Sequence, residues 1–209
     1  MNIREEAKEL FIILLASIVL ALTVSFNKTD ILLEIFLSFI IIIGANILIK
    51  KYIGYRFETR VTTKLWSWYR YGFRKDAHFK RPIPMLWIPL VISLFSKGFL
   101  WWISILEFDV EAKTERVSRR HGLYRFTEVT EYHIGLIALG GVITNLIIAI
   151  IAYLIGFEFF AKLSIYYAFW SIIPLSSWDG SKILFAGRGI WITIASICLI
   201  FVVWAMSVL

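Results

Sequence analysis

Long apolar runs constrain this chain more than any other feature. A membrane-spanning helix needs about 20 mostly apolar residues. Four runs meet or approach that length, and a fifth does so if Lys162 extends to the membrane surface. They are residues 10–26, 31–49, 134–155, 189–209 and, with Lys162, 159–175. Hydrophobic residues are 59% and charged residues 18% of the 209-residue chain, against about 45–50% and 25% in soluble domains. We therefore expect an integral membrane protein.

A sixth apolar run, residues 83–108, has two readings. It is long enough to span, but Ser96-Lys97-Gly98 interrupts it and Pro84 and Pro89 lie within it. A lysine near the bilayer centre costs about 2.5–3.5 kcal/mol on insertion scales. A single span would also place the polar stretches 50–82 and 109–133, with ten and five basic residues, on opposite faces, against the positive-inside tendency.

A re-entrant hairpin at 83–108 keeps both stretches on the cytoplasmic face, where 19 of the 22 basic residues then lie. We predict an all-α membrane protein with five transmembrane helices plus this hairpin, forming one domain with a cytoplasmic N-terminus. Six transmembrane helices are the alternative. Arg4 and Lys8 precede the first run and no small-residue cleavage site follows it, so we expect a retained signal anchor.

The basic excess points to an anionic partner, which could be nucleic acid or a membrane surface. Basic and aromatic residues alternate over 64–75, a pattern that suits base stacking or lipid headgroups. Because this stretch joins two membrane elements, we predict that the bilayer is the partner and nucleic acid is not. The single cysteine, Cys198, cannot form an intrachain disulfide.

Two polar motifs interrupt the apolar sequence. Residues 138–145 read Ala-Leu-Gly-Gly-Val-Ile-Thr-Asn, and 174–180 read Pro-Leu-Ser-Ser-Trp-Asp-Gly. Asn145 could bond across a close helix contact, with or without a function. A carboxylate at the membrane edge is a functional candidate, but Asp179 could equally cap the next helical turn.

Together, these motifs resemble those of the site-2 protease family of intramembrane zinc metalloproteases, which has A-G-P-x-x-N in one helix and P-x-x-P-L-D-G further on. The family's zinc motif, HExxH, ends an earlier helix before a basic-aromatic tail. Residues 50–58 look like that tail, which places the zinc slot at residues 42–46. The resemblance implies a site-2 protease-like core, with a substrate cleft at Asn145, Asp179 and Gly180.

The slot departs from the family pattern. It reads Ile42, Ile43, Gly44, Ala45, Asn46, without either histidine or the glutamate. A catalytic zinc needs three protein ligands and an open position, and the glutamate normally acts on the bound water as general base. The carboxamides of Asn46 and Asn145 do not replace two imidazoles. We therefore expect no catalytic residue, no metal and no cofactor.

The three histidines, His78, His121 and His133, allow one alternative, a peripheral metal site beside Glu128 or Glu131. Zinc is expected only if the histidines supply its ligands, in such a peripheral site or in an active metalloprotease with rearranged ligands. His133 lies twelve positions before Asn145, about 18 Å along one helix, so it should lie at the surface and not beside Asn145.

Three functional hypotheses remain. The first is a non-proteolytic relative of the site-2 proteases that holds or sorts a partner's transmembrane segment in the former substrate cleft. The second is an active intramembrane metalloprotease with ligands rearranged among the histidines, Glu131 and Asp179. The third is a structural or transport subunit of a membrane complex, in which Asp179 and Asn145 only lock helices together.

Overall fold

The computed structural model describes residues 3–26, 29–70, 78–113 and 129–208. This part of the chain is mostly helical. The helices are α1 (Ile3–Val24), α2 (Leu32–Arg56), α3 (Ile88–Phe95), α4 (Glu131–Ile155), α5 (Glu158–Ile172), α6 (Asp179–Ala186) and α7 (Arg188–Ser207), and a 3₁₀ turn at Thr29–Ile31 precedes α2. The strands are β1 (Thr59–Leu65), β2 (Ser67–Arg70), β3 (His78–Pro84) and β4 (Leu106–Ala112).

Four helices in the described ranges are long and apolar enough to cross a membrane: α1, α2, α4 and α7. They cover four of the five runs predicted to span. The fifth run forms α5, which has 15 residues and so rises about 22 Å, less than a span of about 20 residues requires. Its crossing of the membrane stays a prediction. Gly156, with φ 91°, ends α4 in the left-handed conformation that glycine adopts easily.

The polar stretches contain strands, which the all-α prediction did not include. β1 pairs antiparallel with β4, from Thr59 opposite Ala112 to Leu65 opposite Leu106, and β2 pairs antiparallel with β3. The β-branched residues of β1, at positions 59 and 61–63, favour strand. The partner of β1 lies about 45 residues further along the chain, so local periodicity did not reveal the pairing. Residues 114–128, inside the predicted stretch 109–133, lie outside the described residues.

The run 83–108 turns back on itself. The Met85 amide donates to the Trp66 carbonyl (3.0 Å), and the Trp66 amide donates to the Ile105 carbonyl (2.8 Å). Residues 85 and 105 therefore flank the same residue, and we call the segment between them the hairpin. It is made of α3, a turn and an extended return in which Ile103 and Ile105 are buried.

Helix α4 lies at the centre of the bundle and packs against α2, α5 and α6, while α1 packs against α2. The long helices leave many large apolar side chains exposed, among them Leu48, Leu154 and Ile200, each with at least 66% of its surface accessible. An apolar outer surface of this kind fits a bilayer better than water. The polar residues buried inside the helix bundle are therefore the exception, and they need an explanation.

Candidate functional site

A buried ion pair joins two helices at the centre of the site. Lys50, near the end of α2, places its Nζ 2.7 Å from Oδ2 of Asp179, the first residue of α6. Both residues are buried, with 7% and 5% of their surface exposed. Buried charges persist when they are paired and hydrogen-bonded, so each of these residues needs the other.

A second lysine lies beside the pair. Lys182 follows Asp179 by three residues, and its Nζ donates to the Phe108 carbonyl and lies 3.6 Å from the centre of the Phe108 ring. The Nζ of Lys50 lies 4.8 Å from the same ring, so Phe108 offers its face to two cations. Burial lowers the pKa of Lys182 to about 8; Asp179 opposes this effect and the positive charge of Lys50 adds to it.

A second carboxylate balances the second lysine. Glu107 of β4 accepts a hydrogen bond from the Ser177 hydroxyl, just before α6. Burial raises the pKa of Glu107, and the Ser177 hydrogen bond and the charge of Lys182 partly offset this rise. The site thus holds two lysines and two carboxylates, with no net formal charge when all four are ionised.

Three of these four groups line a small polar cavity of about 10 Å³. Lys50, Asp179 and Glu107 line it, together with Asn46, Tyr167 and three hydroxyl side chains. The volume is about the smallest that accommodates one water molecule. A partner's transmembrane segment therefore does not fit beside Asp179 in this conformation.

The residues of the predicted zinc slot lie partly in the apolar core and partly on the cavity. Ile42 and Ile43 have no exposed surface and belong to the apolar cluster that α2 forms with α1 and the hairpin. Asn46 lines the cavity. A Cβ on Gly141 of α4 would lie 2.8 Å from Asn46 Nδ2 and 2.5 Å from Lys50 Cε. The small residues of the first motif thus let α4 approach the face of α2 that carries Asn46 and Lys50.

Two of the three residues predicted to bind in the cleft, Asp179 and Asn145, have different positions. Asp179 lines the cavity, whereas Asn145 is fully buried between helices, where its backbone carbonyl accepts a hydrogen bond from the Ser164 hydroxyl (2.8 Å). Its side-chain Oδ1 and Nδ2 have no hydrogen-bond partner among the described residues. The structure therefore brings Asn46 and Asp179 to one cavity but gives Asn145 a packing position.

Gly180 allows α6 to begin directly against α5. A Cβ at this position would lie 2.0 Å from the Ile172 carbonyl oxygen and 2.6 Å from that of Ile173. These are backbone atoms, which do not move aside as a flexible side chain can. Gly180 therefore places Asp179 by allowing close backbone packing.

The histidines do not form a described metal site. His133, in the first turn of α4, contacts the Thr130 hydroxyl and the edge of the Phe57 ring. The His78 side chain and all of His121 lie outside the described residues. Within the described ranges, no group of three or more His, Cys, Asp or Glu side chains converges as a metal site would require.

The residues at the position that the site-2 protease resemblance assigns to zinc do not fit the metal. Its ligand slot offers apolar Ile42 and Ile43, while Asp179 is bound by an ammonium group. A zinc ion there would have to displace Lys50 and would find one carboxylate where three ligands are needed.

Two residues of the polar stretch 50–82, Lys50 and Trp66, lie in the interior of the protein. Lys50 is one of the ten basic residues of that stretch, and it is buried. It follows Asn46 by four positions and so shares a helix face with it, a signal that the sequence contained. Trp66, in the segment where basic and aromatic residues alternate, is 1% exposed and packs against Trp102 and Trp178.

A larger groove lies beside β1. Its volume is about 630 Å³, and it is lined by the first turns of α1, the end of α2, β1 and the last residues of β4. Glu9 of α1 reaches into it: its Oε1 accepts a hydrogen bond from the Thr63 amide (2.8 Å), and its Oε2 contacts Lys51. Sequence reasoning missed this groove, because it depends on the pairing of β1 with β4.

Comparison of the chain with protein-family models, with curated proteins and with solved structures finds no match.

Proposed function

We propose that this protein is a non-proteolytic, site-2 protease-like membrane protein that holds a segment of another membrane protein. The observation that carries the proposal is the buried contact between Lys50 and Asp179. Under the resemblance, Asp179 is the remaining member of the family's metal-binding set. In this chain, its negative charge is compensated by a side chain of the protein itself.

The ion pair counts against proteolysis. Peptide hydrolysis by a metalloprotease depends on a metal that activates water and polarises the scissile carbonyl. At this position, the Lys50 ammonium already neutralises Asp179 at 2.7 Å, and the preceding turns of α2 contribute Ile42 and Ile43. Because the charges of Lys50 and Asp179 cancel, the pair can link α2 and α6 without a metal.

The groove beside β1 supplies a surface for a partner. Successive residues of a strand direct their backbone groups to opposite edges. The Thr63 amide points away from β4, because it bonds Glu9 of α1. Val61 shares this orientation, being two residues away. The outward amides of β1 therefore face a groove of about 630 Å³. Val61 and Thr63 are 6% and 5% exposed there, so a partner reaches this edge where Glu9 releases it.

The occupant that fits this edge is an extended polypeptide. A peptide that adds to a strand edge gains main-chain hydrogen bonds, and its alternate side chains enter pockets. Five basic and three acidic side chains line the groove, a balance that favours a mildly acidic segment. Because the groove lies at one end of two candidate spanning helices, α1 and α2, the best candidate is the sequence that adjoins a partner's transmembrane segment.

Site-specific photocrosslinking tests the proposal. A photoreactive residue at Arg60, on the groove wall, should crosslink a partner peptide next to an apolar segment, and that partner should remain uncleaved. The same residue at Lys80, exposed on β3 and away from the groove, is the matched control. Crosslinks at both positions to further copies of this chain would instead favour a structural subunit.

Metal analysis of the same preparation tests the remaining hypothesis, that the protein is an active metalloprotease. Zinc at one ion per chain, lost on substitution Asp179→Ala, would support the active metalloprotease and contradict the proposal. Zinc that persists after Asp179→Ala would point to a peripheral site, such as the histidine alternative, and would leave the groove hypothesis to the crosslinking result.

A further inference from the structure

The hairpin extends along α1 to the far end of that helix. At one end of α1, Glu9 binds the Thr63 amide of β1. At the other end, the Thr23 carbonyl accepts a hydrogen bond from the Ser93 hydroxyl of α3 (2.8 Å), in a fully buried position. The fourteen helical steps from Glu9 to Thr23 correspond to about 21 Å. Ser93 therefore lies about 21 Å from the level of Glu9, measured along α1.

This distance approaches the thickness of a bilayer. The hydrocarbon core is about 30 Å thick, and the apolar run of α1 starts at Leu10, directly after Glu9, and ends at Phe26. Ser93 thus lies one turn of helix from the far end of that run. The residues after Ser93, which form the turn of the hairpin, lie near the opposite membrane surface.

The hairpin turn is well defined and strongly apolar. The Gly98 amide donates to the Ser93 carbonyl (2.7 Å), and the Trp101 indole donates to the Gly98 carbonyl (3.1 Å). Within the described ranges, Phe99 and Phe95 are the most exposed large hydrophobic residues, with 90% and 84% of their surface accessible. Lys97 lies between them at the apex, with φ 53°. The fixed backbone presents two phenyl rings on either side of one cation.

We infer that the hairpin turn binds lipids of the leaflet opposite to the one at which the hairpin enters. Its rings extend the apolar outer surface of α1, where Ile18 and Leu22 are 46% and 43% exposed. Phe95 and Phe99 take positions among the acyl chains, and Lys97 extends to the headgroups, as long cationic side chains do at membrane surfaces. This inference does not depend on the proposed function.

Cysteine labelling in intact cells of an expression host tests the crossing. Lys97→Cys and Glu111→Cys, both at exposed positions, should react with an impermeant maleimide from opposite faces, so that one reacts in intact cells and the other only after lysis. The wild-type chain is the background control, because its Cys198 is buried. Reaction of both variants from the same face, or no reaction of Lys97→Cys even after lysis, would overturn the inference.

Fluorescence quenching tests the lipid contact. A fluorophore on Phe99→Cys, in phosphatidylcholine vesicles, should be quenched more by a nitroxide near the headgroup than by one near the chain end. A fluorophore on Ile18→Cys, in the middle of the apolar run 10–26, should show the reverse order. If a fluorophore at position 99 is quenched by aqueous iodide and by neither lipid nitroxide, the turn lies outside the bilayer and the inference is wrong.

Discussion

The Nζ of Lys50 and Oδ2 of Asp179 lie 2.7 Å apart, although 129 positions separate the two residues in the chain. The contact ties the end of α2 to the start of α6. Each charge is shielded from solvent, so the favourable interaction has to offset the desolvation of both groups. The pair consequently makes the local structure sensitive to loss of either partner.

The first prediction concerns this pair. Asp179→Ala should lower the free energy of unfolding by about 3–5 kcal/mol, because it leaves the Lys50 ammonium buried without a counter-charge. The double variant Lys50→Met/Asp179→Leu should lie much closer to wild type, since it removes both charges at similar volume. Denaturant unfolding in detergent micelles measures both. Wild-type stability of Asp179→Ala would show that the pair does not lock the helices.

The second prediction concerns the close approach of α6 and α5. Gly180→Ala should destabilise by about 3 kcal/mol, the upper end of the usual overpacking range, because the added methyl meets the carbonyl oxygens of Ile172 and Ile173. Gly44→Ala in α2 is the control. No atom lies within 4 Å of its added Cβ, and alanine is favoured over glycine in a helix by about 0.5–1 kcal/mol. Equal midpoints for the two variants in thermal unfolding would contradict the packing argument.

The third prediction uses the lowered pKa of Lys182. Its folded-state pKa of about 8 lies below the ordinary 10.5, so between these values the unfolded chain binds more protons than the folded one. The contribution of Lys182 to stability should therefore rise with pH over this interval, by up to about 3 kcal/mol at 1.36 kcal/mol per pKa unit. Unfolding measured at pH 7 and pH 10 should show wild type gaining stability relative to Lys182→Met.

Lys64→Met provides the comparison for that experiment. Lys64 is exposed, and its hydrogen bond to Asp109 raises its pKa above 10.5. Lys64 stays mostly protonated in both states from pH 7 to pH 10, so the difference between wild type and Lys64→Met should change little there and, if anything, fall slightly toward pH 10. A flat difference for Lys182→Met as well would show that Lys182 is solvated in the folded protein.

Parts of the fold could be predicted from the sequence because they depend on local composition. The runs at 31–49 and 134–155 fall within α2 and α4, since length and apolar content alone determine whether a helix can cross a bilayer. The interruption at Ser96-Lys97-Gly98 likewise coincides with the turn of the hairpin. In each case the relevant physics acts within one segment.

The site could be predicted only in part because its contacts are long-range. Asp179 was a candidate because a carboxylate in an apolar setting is costly, whereas Lys50 looked like one more residue of a basic stretch. Nothing within residues 50–82 indicates that its first lysine is buried, since that depends on α6. The groove could not be predicted from the sequence for the same reason, because one of its walls exists only when β1 pairs with β4.

The last prediction concerns Glu9 and the edge of β1. Glu9→Ala should speed hydrogen exchange at the Thr63 amide, because that amide loses its acceptor at 2.8 Å, while the Thr62 amide, directed toward β4 by the alternation of the strand, should keep its protection. The free energy of unfolding should fall by about 1 kcal/mol, which is the usual contribution of one hydrogen bond together with a partly exposed ion pair. If Glu9 competes with the partner for this edge, the variant should also crosslink more partner through Arg60. Weaker crosslinking with a normal Thr63 exchange rate would show that Glu9 belongs to the binding surface and does not obstruct it.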